Sequence, residues 1–211
     1  MSIYISPISG DMKSIIENLL PTSGYCIFID IVGSTQMKEK STKNWILAIY
    51  NTFINNLTYL HRYWPPLKSL GDELMFYIPE FRIKNNQEND LIIFSDLINL
   101  LTDKKLVDDY DLYFRDIKIA ACYCKDAYDI TFIEGKDDIY GKDIDLTARL
   151  ASIVDCGELI INKEFYDRIS GDYSVTGNKE QFSEFEKLVG PWPQKFKGFK
   201  ESIDVYKVKI Y

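Results

Sequence analysis

Apolar residues are concentrated in the run YCIFID at residues 25–30, which predicts a buried strand that ends on the carboxylate of Asp30. A Gly-Ser-Thr turn follows at residues 33–35. Beyond it, apolar side chains recur at every third or fourth position, at Trp45, Ile46, Ile49, Tyr50, Phe53, Ile54 and Leu57. This spacing predicts an amphipathic helix. The segment is therefore predicted to be a strand, a turn of the size that holds a phosphate, and a helix.

The next segments repeat the alternation of strands and a helix. Residues 67–78, LKSLGDELMFYI, predict two short strands that form a hairpin with Gly71 and Asp72 at its tip. Residues 90–106 predict a second amphipathic helix, and DIKIAACYC at 116–124 predicts the returning strand. The order βαββαβ is that of ferredoxin-like sheets.

The two ends of the chain extend this core. An amphipathic segment, DMKSIIENLL at residues 11–20, is closed by Pro21 and Gly24 and predicts a lead-in helix. After residue 124 we expect a loop to residue 138, a helix over 145–154, a strand at 158–161 and a closing set of short strands. The predicted fold class is therefore α+β, a ferredoxin-like βαββαβ core sheet with flanking helices and extra C-terminal strands. Residues 1–24 are predicted to be a lead-in segment and residues 25–211 a single domain.

Composition narrows the chemistry. The chain has 211 residues, of which 46% are hydrophobic and 27% charged, as in globular proteins. Its net charge of −7 disfavours binding along a nucleic-acid backbone. The single histidine, His61, excludes zinc sites built on two histidines, and we expect it to be structural. Strong catalysis must then use carboxylates, lysine, arginine or metals held by oxygen.

The cysteines and the apolar runs predict the cellular setting. Cys26, Cys122 and Cys124 lie in apolar runs, which favours buried free thiols over disulfides. The sequence contains neither a signal peptide nor an 18-residue apolar stretch. We therefore expect a cytoplasmic protein that does not enter a membrane.

Two carboxylates form the candidate metal site. Asp30 ends a strand and Asp72 lies at a hairpin tip, and in a βαββ unit these two positions can be neighbours. Adjacent carboxylates repel unless a cation lies between them, and ligands that are all oxygen favour Mg²⁺ or Mn²⁺. The amides of the turn after Asp30 would face whatever the metal holds, and a nucleoside triphosphate fits that combination. The alternative is that Asp30 merely ends a strand and Asp72 merely makes a turn.

Five motifs, in this order, resemble those of the class III nucleotidyl cyclases, the adenylate and guanylate cyclase family. They are FIDIVGST (28–35), KSLGDELM (68–75), DIYGKDIDLTARL (138–150), CGELIIN (156–162) and FKGFKESIDVYKV (196–208). The resemblance covers residues 25–208. It implies the catalytic-domain fold of that family and the cyclisation of a nucleoside triphosphate to a 3′,5′-cyclic nucleotide with release of pyrophosphate.

The resemblance also assigns the metal and triphosphate residues. Asp30 and Asp72, with the backbone carbonyl of Ile31, would bind two divalent metal ions, Mg²⁺ or Mn²⁺. The amides of Val32, Gly33, Ser34 and Thr35 would hold the β- and γ-phosphates. Lys197 matches the triphosphate-binding lysine of the family, and the alternative is an ordinary surface lysine.

Two further positions belong to the reacting centre of the family. Arg149 matches the arginine that stabilises the charge that develops on the α-phosphate. Asp145 stands where the family has an asparagine that orients the ribose, and an ionised carboxylate cannot donate that hydrogen bond. In this family the metal aspartates and the base-reading and transition-state residues come from different subunits. The resemblance therefore implies a head-to-tail homodimer with composite active sites.

The base is left open by the residues themselves. Lys68 and Asp138 occupy the positions that select adenine in adenylate cyclases, yet the same pair can also satisfy uracil or cytosine. Tyr63, Trp64 or Tyr140 could shorten the pocket for a smaller ring, and the alternative for each is core packing.

The departures from the family favour a pyrimidine product. Asp145 replaces the asparagine, and IAACYC at 119–124 replaces the glycine- and histidine-containing run common in adenylate cyclases. With the expected stand-alone domain, they resemble the bacterial pyrimidine cyclases of anti-phage defence, the Pycsar type, which make cyclic UMP or cyclic CMP for a separate effector. The alternatives are an adenylate cyclase that makes cyclic AMP and a catalytically silent, nucleotide-binding module. A diguanylate-cyclase or polymerase palm is disfavoured because residues 71–73 lack the doubled glycine.

Overall fold

The structure is a computed structural model, and it describes residues 2–5, 12–60, 65–85, 89–102, 116–177 and 179–211. The strands are β1 (Ile3–Tyr4), β2 (Thr22–Ile31), β3 (Lys68–Leu70), β4 (Glu73–Pro79), β5 (Ile117–Tyr128), β6 (Ile130–Thr131), β7 (Tyr140–Gly141), β8 (Glu158–Asn162), β9 (Val189–Gln194) and β10 (Ile203–Lys209). The helices are α1 (Met12–Glu17), α2 (Ser34–Lys40), α3 (Thr42–Leu60), α4 (Glu80–Asn85), α5 (Asp90–Thr102), α6 (Lys142–Ala151) and α7 (Lys163–Val175), followed by a 3₁₀ segment at Glu180–Lys187.

The central sheet contains eight strands in the order β3-β4-β2-β5-β8-β10-β9, with β7 paired to β5. Within it, β3, β4, β2 and β5 are antiparallel neighbours, which is the predicted ferredoxin-like βαββαβ core with its hairpin and returning strand. The parallel pairing of β5 with β8 and the antiparallel β8-β10-β9 ladder add the expected C-terminal strands. The predicted fold class is confirmed.

Both faces of the sheet are covered, and successive residues of β2 therefore enter two different cores. Tyr25, Ile27 and Ile29 pack under α5 and α7. Cys26 and Phe28 pack under α6. This is why the strand is a continuous apolar run. Cys26, Cys122 and Cys124 are buried and free, as predicted, whereas Cys156 is half-buried.

A cluster of charged side chains ties the helices of one face to the start of β2. Arg168 in α7 donates from Nε to Asp90 Oδ2 at 2.7 Å and to the Tyr25 hydroxyl at 3.0 Å, and from Nη2 to Glu80 Oε1 at 2.7 Å. Its guanidinium lies 4.2 Å from the centre of the Tyr123 ring. The Arg168 cluster therefore joins α4, α5 and α7 through buried or half-buried charges.

Several predicted boundaries shift. β5 continues through residues 125–128, where a loop was expected, because it pairs there with β2 and β7. Helix α7 was not predicted. It begins where the Asn162 side chain accepts a hydrogen bond from the amide of Phe165 at 3.1 Å, and it buries Phe165, Ile169 and Tyr173 on one face.

Other segments agree more closely with the predictions. Helix α6 begins at Lys142, three residues before the predicted start, and the second predicted helix is α5, which the structure describes to Thr102. Helix α3 forms as predicted, although Ile46 and Tyr50 on its expected apolar face lie largely in solvent. His61, Tyr63 and Trp64 lie outside the described residues.

The start of the chain packs against the domain. β1 pairs in parallel with β6, and Ile5 beyond it is fully buried. α1 forms within the predicted lead-in segment, and β2 begins at Thr22, before the predicted first residue of the strand at 25. In the part of the chain that the structure describes, no helix has the length and apolar character that crossing a membrane requires.

Candidate functional site

A cleft of about 400 Å³ opens at the end of β2. The residues that line it are Asp30, Ile31, Val32, Gly33, Ser34, Thr35, Asp72, Lys118, Val154, Asp155 and Cys156. Both predicted metal carboxylates and the whole predicted phosphate turn are therefore in one place.

The backbone explains why the two aspartates meet. Leu70 pairs with Glu73, which leaves Gly71 and Asp72 as a two-residue hairpin turn, with Gly71 at a φ of 71° that favours glycine. The amide of Ile31 donates to the carbonyl oxygen of Asp72 at 3.3 Å, so the hairpin tip is joined to the end of β2. Strand pairing and this hydrogen bond hold the Asp72 turn next to Asp30.

The phosphate turn is equally defined by the backbone. The amide of Val32 donates to the carbonyl oxygen of Asp116 at 2.8 Å, which fixes the chain as it leaves the sheet. Gly33 has a φ of 80° and allows α2 to begin at Ser34 directly afterwards. The turn thus carries the chain from a strand end into a helix beside two carboxylates.

Charges cross three adjacent strands at this end of the sheet. Asp30 in β2 is paired in register with Glu73 in β4 and with Lys118 in β5. Lys118 Nζ lies 3.1 Å from Asp30 Oδ2, and the Ser34 hydroxyl donates to Asp72 Oδ2. Burial raises the pKa of Asp30, and the Lys118 ammonium opposes that rise. Burial and the neighbouring Asp30 and Asp72 carboxylates raise the pKa of Glu73 to about 7.

The donor set fits a magnesium-like ion. Among the described residues, no group of three or more His, Cys, Asp or Glu side chains is arranged to hold a metal. The cleft offers the carboxylates of Asp30 and Asp72 and the carbonyl of Ile31. Mg²⁺ is commonly bound by one or two carboxylates and completed by water and substrate phosphates. Burial and the Asp72 carboxylate both raise the pKa of Asp30, and a divalent ion between the two carboxylates would offset their repulsion.

The predicted base-reading residues form a second group, apart from the lining of the cleft. Lys68 Nζ in β3 lies 2.6 Å from Asp138 Oδ1, and the two side chains are 34% and 23% exposed. The same oxygen accepts from the amide of Ile139 at 2.8 Å. Tyr140, two residues further on, is 41% exposed and stands edge-on to Phe132, so it is not a core residue.

The predicted catalytic residues form a third group. Arg149 Nε lies 2.9 Å from Asp145 Oδ2, one turn earlier on α6. The Arg149 guanidinium lies 5.8 Å from the centre of the Phe199 ring. Lys197, two residues before Phe199, is exposed in the connection between β9 and β10. Neither this group nor Lys68 and Asp138 lines the cleft.

Three charged residues of the site were not predicted: Asp155, which lines the cleft, and Lys118 and Glu73, which flank Asp30. Lys118 and Glu73 lie beside Asp30 because of strand register alone. The lysine of DIKIAACYC could have been identified once β5 was aligned antiparallel to β2, since Asp30 and Lys118 then face each other across the ladder.

No protein-family model matches the sequence, and no curated protein matches it. Solved structures do match. The adenylyl cyclase CyaB from P. aeruginosa is 17% identical, with 92% of this chain and 97% of that chain covered at a TM-score of 0.70. The guanylate cyclase domain of RhGC from Catenaria anguillulae, solved with GTP, is 19% identical. The match covers 89% of this chain and 96% of that chain at a TM-score of 0.60. A structure of adenylate cyclases from Trypanosoma brucei in their monomeric state is 14% identical. The match covers 90% of this chain and 93% of that chain at a TM-score of 0.62. The chain therefore has the fold of the class III cyclase catalytic domains.

Proposed function

We propose that the chain is a metal-dependent nucleotidyl cyclase that converts a nucleoside triphosphate into a 3′,5′-cyclic nucleotide and pyrophosphate. One observation carries this proposal: Asp30, Asp72 and the turn at residues 32–35 line a single cleft at the end of β2 on this fold. The cleft combines carboxylates for a divalent ion with backbone amides for phosphate oxygens, which a triphosphate requires.

Each group has a defined task in this reaction. The amides of Gly33, Ser34 and Thr35 hold the β- and γ-phosphates, and Lys118 adds a positive charge beside them. The amide of Val32, which was predicted to join them, already donates to the carbonyl oxygen of Asp116. Mg²⁺ or Mn²⁺ held by Asp30 and Asp72 would lower the pKa of the ribose 3′-hydroxyl and neutralise the leaving pyrophosphate. The 3′-hydroxyl oxygen attacks the α-phosphorus and loses its proton to water, while the bond to the β-phosphate breaks and pyrophosphate leaves. Arg149 stabilises the charge that grows on the α-phosphate.

The separation of the groups supports a head-to-tail homodimer. Lys68, Asp138 and Arg149 do not line the cleft of Asp30 and Asp72 in the same chain. Two chains arranged head to tail would bring the base-reading and arginine groups of one to the metal cleft of the other. Each dimer would then contain two composite sites, with Lys197 reaching the triphosphate and Asp145 lying beside Arg149.

Within this activity we favour a pyrimidine substrate, UTP or CTP, and a role in the anti-phage signalling of the Pycsar type, with a separate effector that responds to the cyclic nucleotide. The support is the carboxylate at Asp145 in place of asparagine and IAACYC at 119–124 in place of the glycine- and histidine-containing run. The Lys68–Asp138 pair, which offers one donor and one acceptor to a base edge, can satisfy a pyrimidine. The second candidate is an adenylate cyclase, since the same pair also satisfies adenine. The third is a silent nucleotide-binding module, and its support is Asp145 in place of the family asparagine, because an ionised carboxylate cannot donate a hydrogen bond to the ribose.

The test is incubation of the purified protein with ATP, GTP, CTP and UTP in Mn²⁺, with chromatographic separation of the products. Cyclic UMP or cyclic CMP is expected. Asp72→Ala should abolish turnover, and Asp167→Ala, which breaks an exposed ion pair on α7, should leave it unchanged. Cyclic AMP as the sole product would contradict the defence role. No cyclic product from any substrate would contradict the enzyme.

A further inference from the structure

Residues 2–5, which contain β1 and are called the N-terminal strand below, form hydrogen bonds with the segment that carries Asp138. Between β6 and β7, residues 132–139 form no strand. The Ser2 hydroxyl donates to the carbonyl oxygen of Asp138 at 3.0 Å and accepts from its amide at 3.0 Å. The carboxylate of the same residue accepts from Lys68 at 2.6 Å. Ser2 therefore forms hydrogen bonds with both the amide and the carbonyl of Asp138, whose side chain belongs to the proposed base-reading pair.

Ser2 is fixed in turn by its own neighbours. Its amide donates to Asp137 Oδ1 at 2.8 Å. The amide of Ile3 donates to the carbonyl of residue 129 at 3.0 Å, and that of Ile5 donates to the carbonyl of Thr131 at 2.9 Å. The Ile5 side chain is fully buried. The strand is thus anchored to β6 at one end and to the Asp138 segment at the other, and it spans the connection between them.

We propose that Ser2 is a positioning residue for base recognition, and that the N-terminal strand sets how strictly the site discriminates between bases. This inference rests on the proposed function. Hydrogen bonds weaken steeply with distance and angle. The site therefore distinguishes one base edge from another only if the Asp138 carboxylate, which accepts from the base, stays in place. The Ser2 contacts restrict the backbone of Asp138 and therefore the direction in which its carboxylate points toward Lys68.

The hydroxyl group is what the position requires. A serine hydroxyl supplies one donor and two acceptor lone pairs, which matches the carbonyl and amide of a single residue. Ser2→Ala removes both hydrogen bonds and leaves two backbone groups of Asp138 without that partner. Ser2→Thr keeps the hydroxyl. The exposed Ser174, whose hydroxyl donates to the carbonyl oxygen of Gly171 within α7, offers a matched control.

The experiment measures binding without turnover. Wild type, Ser2→Ala, Ser2→Thr and Ser174→Ala, each with its purification tag at the C-terminus, are titrated in Mn²⁺ with the 3′-deoxy triphosphates of the four bases, which lack the attacking hydroxyl. Amide hydrogen exchange is followed over residues 132–139. Ser2→Ala should lower the affinity ratio between the preferred and the next base about tenfold and speed exchange at Asp138 by a similar factor, the effect of about one neutral hydrogen bond. Ser2→Thr and Ser174→Ala should stay within about twofold of wild type.

The outcomes separate the two proposals. Unchanged exchange at Asp138 in Ser2→Ala overturns the positioning role, whatever the protein binds. Faster exchange with an unchanged affinity ratio also overturns it and leaves the proposed cyclase intact. If wild type binds none of the four analogues, the proposed function fails and this inference fails with it. If wild type binds all four equally, base recognition at Asp138 is wrong and so is the role of Ser2.

Discussion

Replacement of Lys118 tests the metal assignment directly, because this lysine occupies the position that a cation on Asp30 needs. Its Nζ lies 3.1 Å from Asp30 Oδ2, and the two side chains are 21% and 24% exposed. Two unit charges at that distance attract each other by about 5 kcal/mol at an effective dielectric constant of about 20, and their desolvation offsets most of this. We expect a net attraction of about 1–2 kcal/mol, which a metal on Asp30 must overcome.

Lys118→Met keeps the aliphatic stem and removes the charge. In the absence of nucleotide, the affinity for Mn²⁺ should rise about tenfold, since about 1.4 kcal/mol of competing attraction is lost. Without metal, the free energy of unfolding should fall by about 1–2 kcal/mol, because Asp30 then lies beside Asp72 and Glu73 without a counter-ion. Electron paramagnetic resonance of free Mn²⁺ measures the first effect, and urea unfolding in a chelator measures the second.

The same strand supplies the control. Lys125 in β5 is 64% exposed and lies 3.5 Å from Glu164, so Lys125→Met removes an equal charge without touching the cleft. It should change neither quantity measurably. An Mn²⁺ affinity that is unchanged or weaker in Lys118→Met would refute the idea that a metal ion and Lys118 compete for Asp30.

Three further predictions follow from other parts of the molecule. Asp30→Ala and Arg149→Ala should each be inactive, yet mixing the two should restore one intact site per mixed dimer, and activity that stays at background would argue against composite sites. Arg168→Met should lower the free energy of unfolding by about 3 kcal/mol, because it leaves buried or half-buried carboxylates without their partner. Lys163→Met on the same helix, which breaks an exposed ion pair, should not change it. Equal effects of the two substitutions in urea unfolding would contradict this prediction. Burial opposes ionisation of Glu80, but Ser23, Lys84 and Arg168 bring its pKa from 4.5 down to about 2. Its ionised form therefore stabilises the fold above about pH 4.5 and is lost as the pH falls toward 2, so Glu80→Gln should show a shallower loss of stability below about pH 5 than wild type.

Strand pairing decided which parts of the site were predictable. The contact between Asp30 and Asp72 could be predicted because the βαββ order places the hairpin beside the first strand of the sheet, although residues 32–67 separate the two along the chain. Lys118 enters through β5, whose register with β2 is set by pairing across the centre of the sheet. Apolar pattern identifies that strand but does not fix its register to one residue.

Charged groups inside the helical layer were the least predictable part of the fold. Nothing local marks Arg168 as a residue that contacts Glu80 and Asp90, since these carboxylates come from two other helices. Helix α7 was not predicted for a related reason: its second half contains the run SGDYS at 170–174, which is mostly polar and typical of a loop. The Asn162 cap and the helical spacing of Phe165, Ile169 and Tyr173 are present in the sequence. Their apolar face is explained only by the sheet against which it packs.

Asp145 is the departure from the cyclase-like motifs that most challenges the proposed catalysis. The strength of its ion pair with Arg149 can be estimated. Asp145 holds Arg149 by an ion pair one helical turn apart, with the Asp145 side chain 56% exposed. Such pairs on a helix surface contribute about 0.3–0.5 kcal/mol. Removal of a donor that stabilises a transition-state charge costs about 3–4 kcal/mol. Arg149 can therefore leave Asp145 for a developing charge at small cost, and the ion pair does not by itself favour a silent module over an active cyclase.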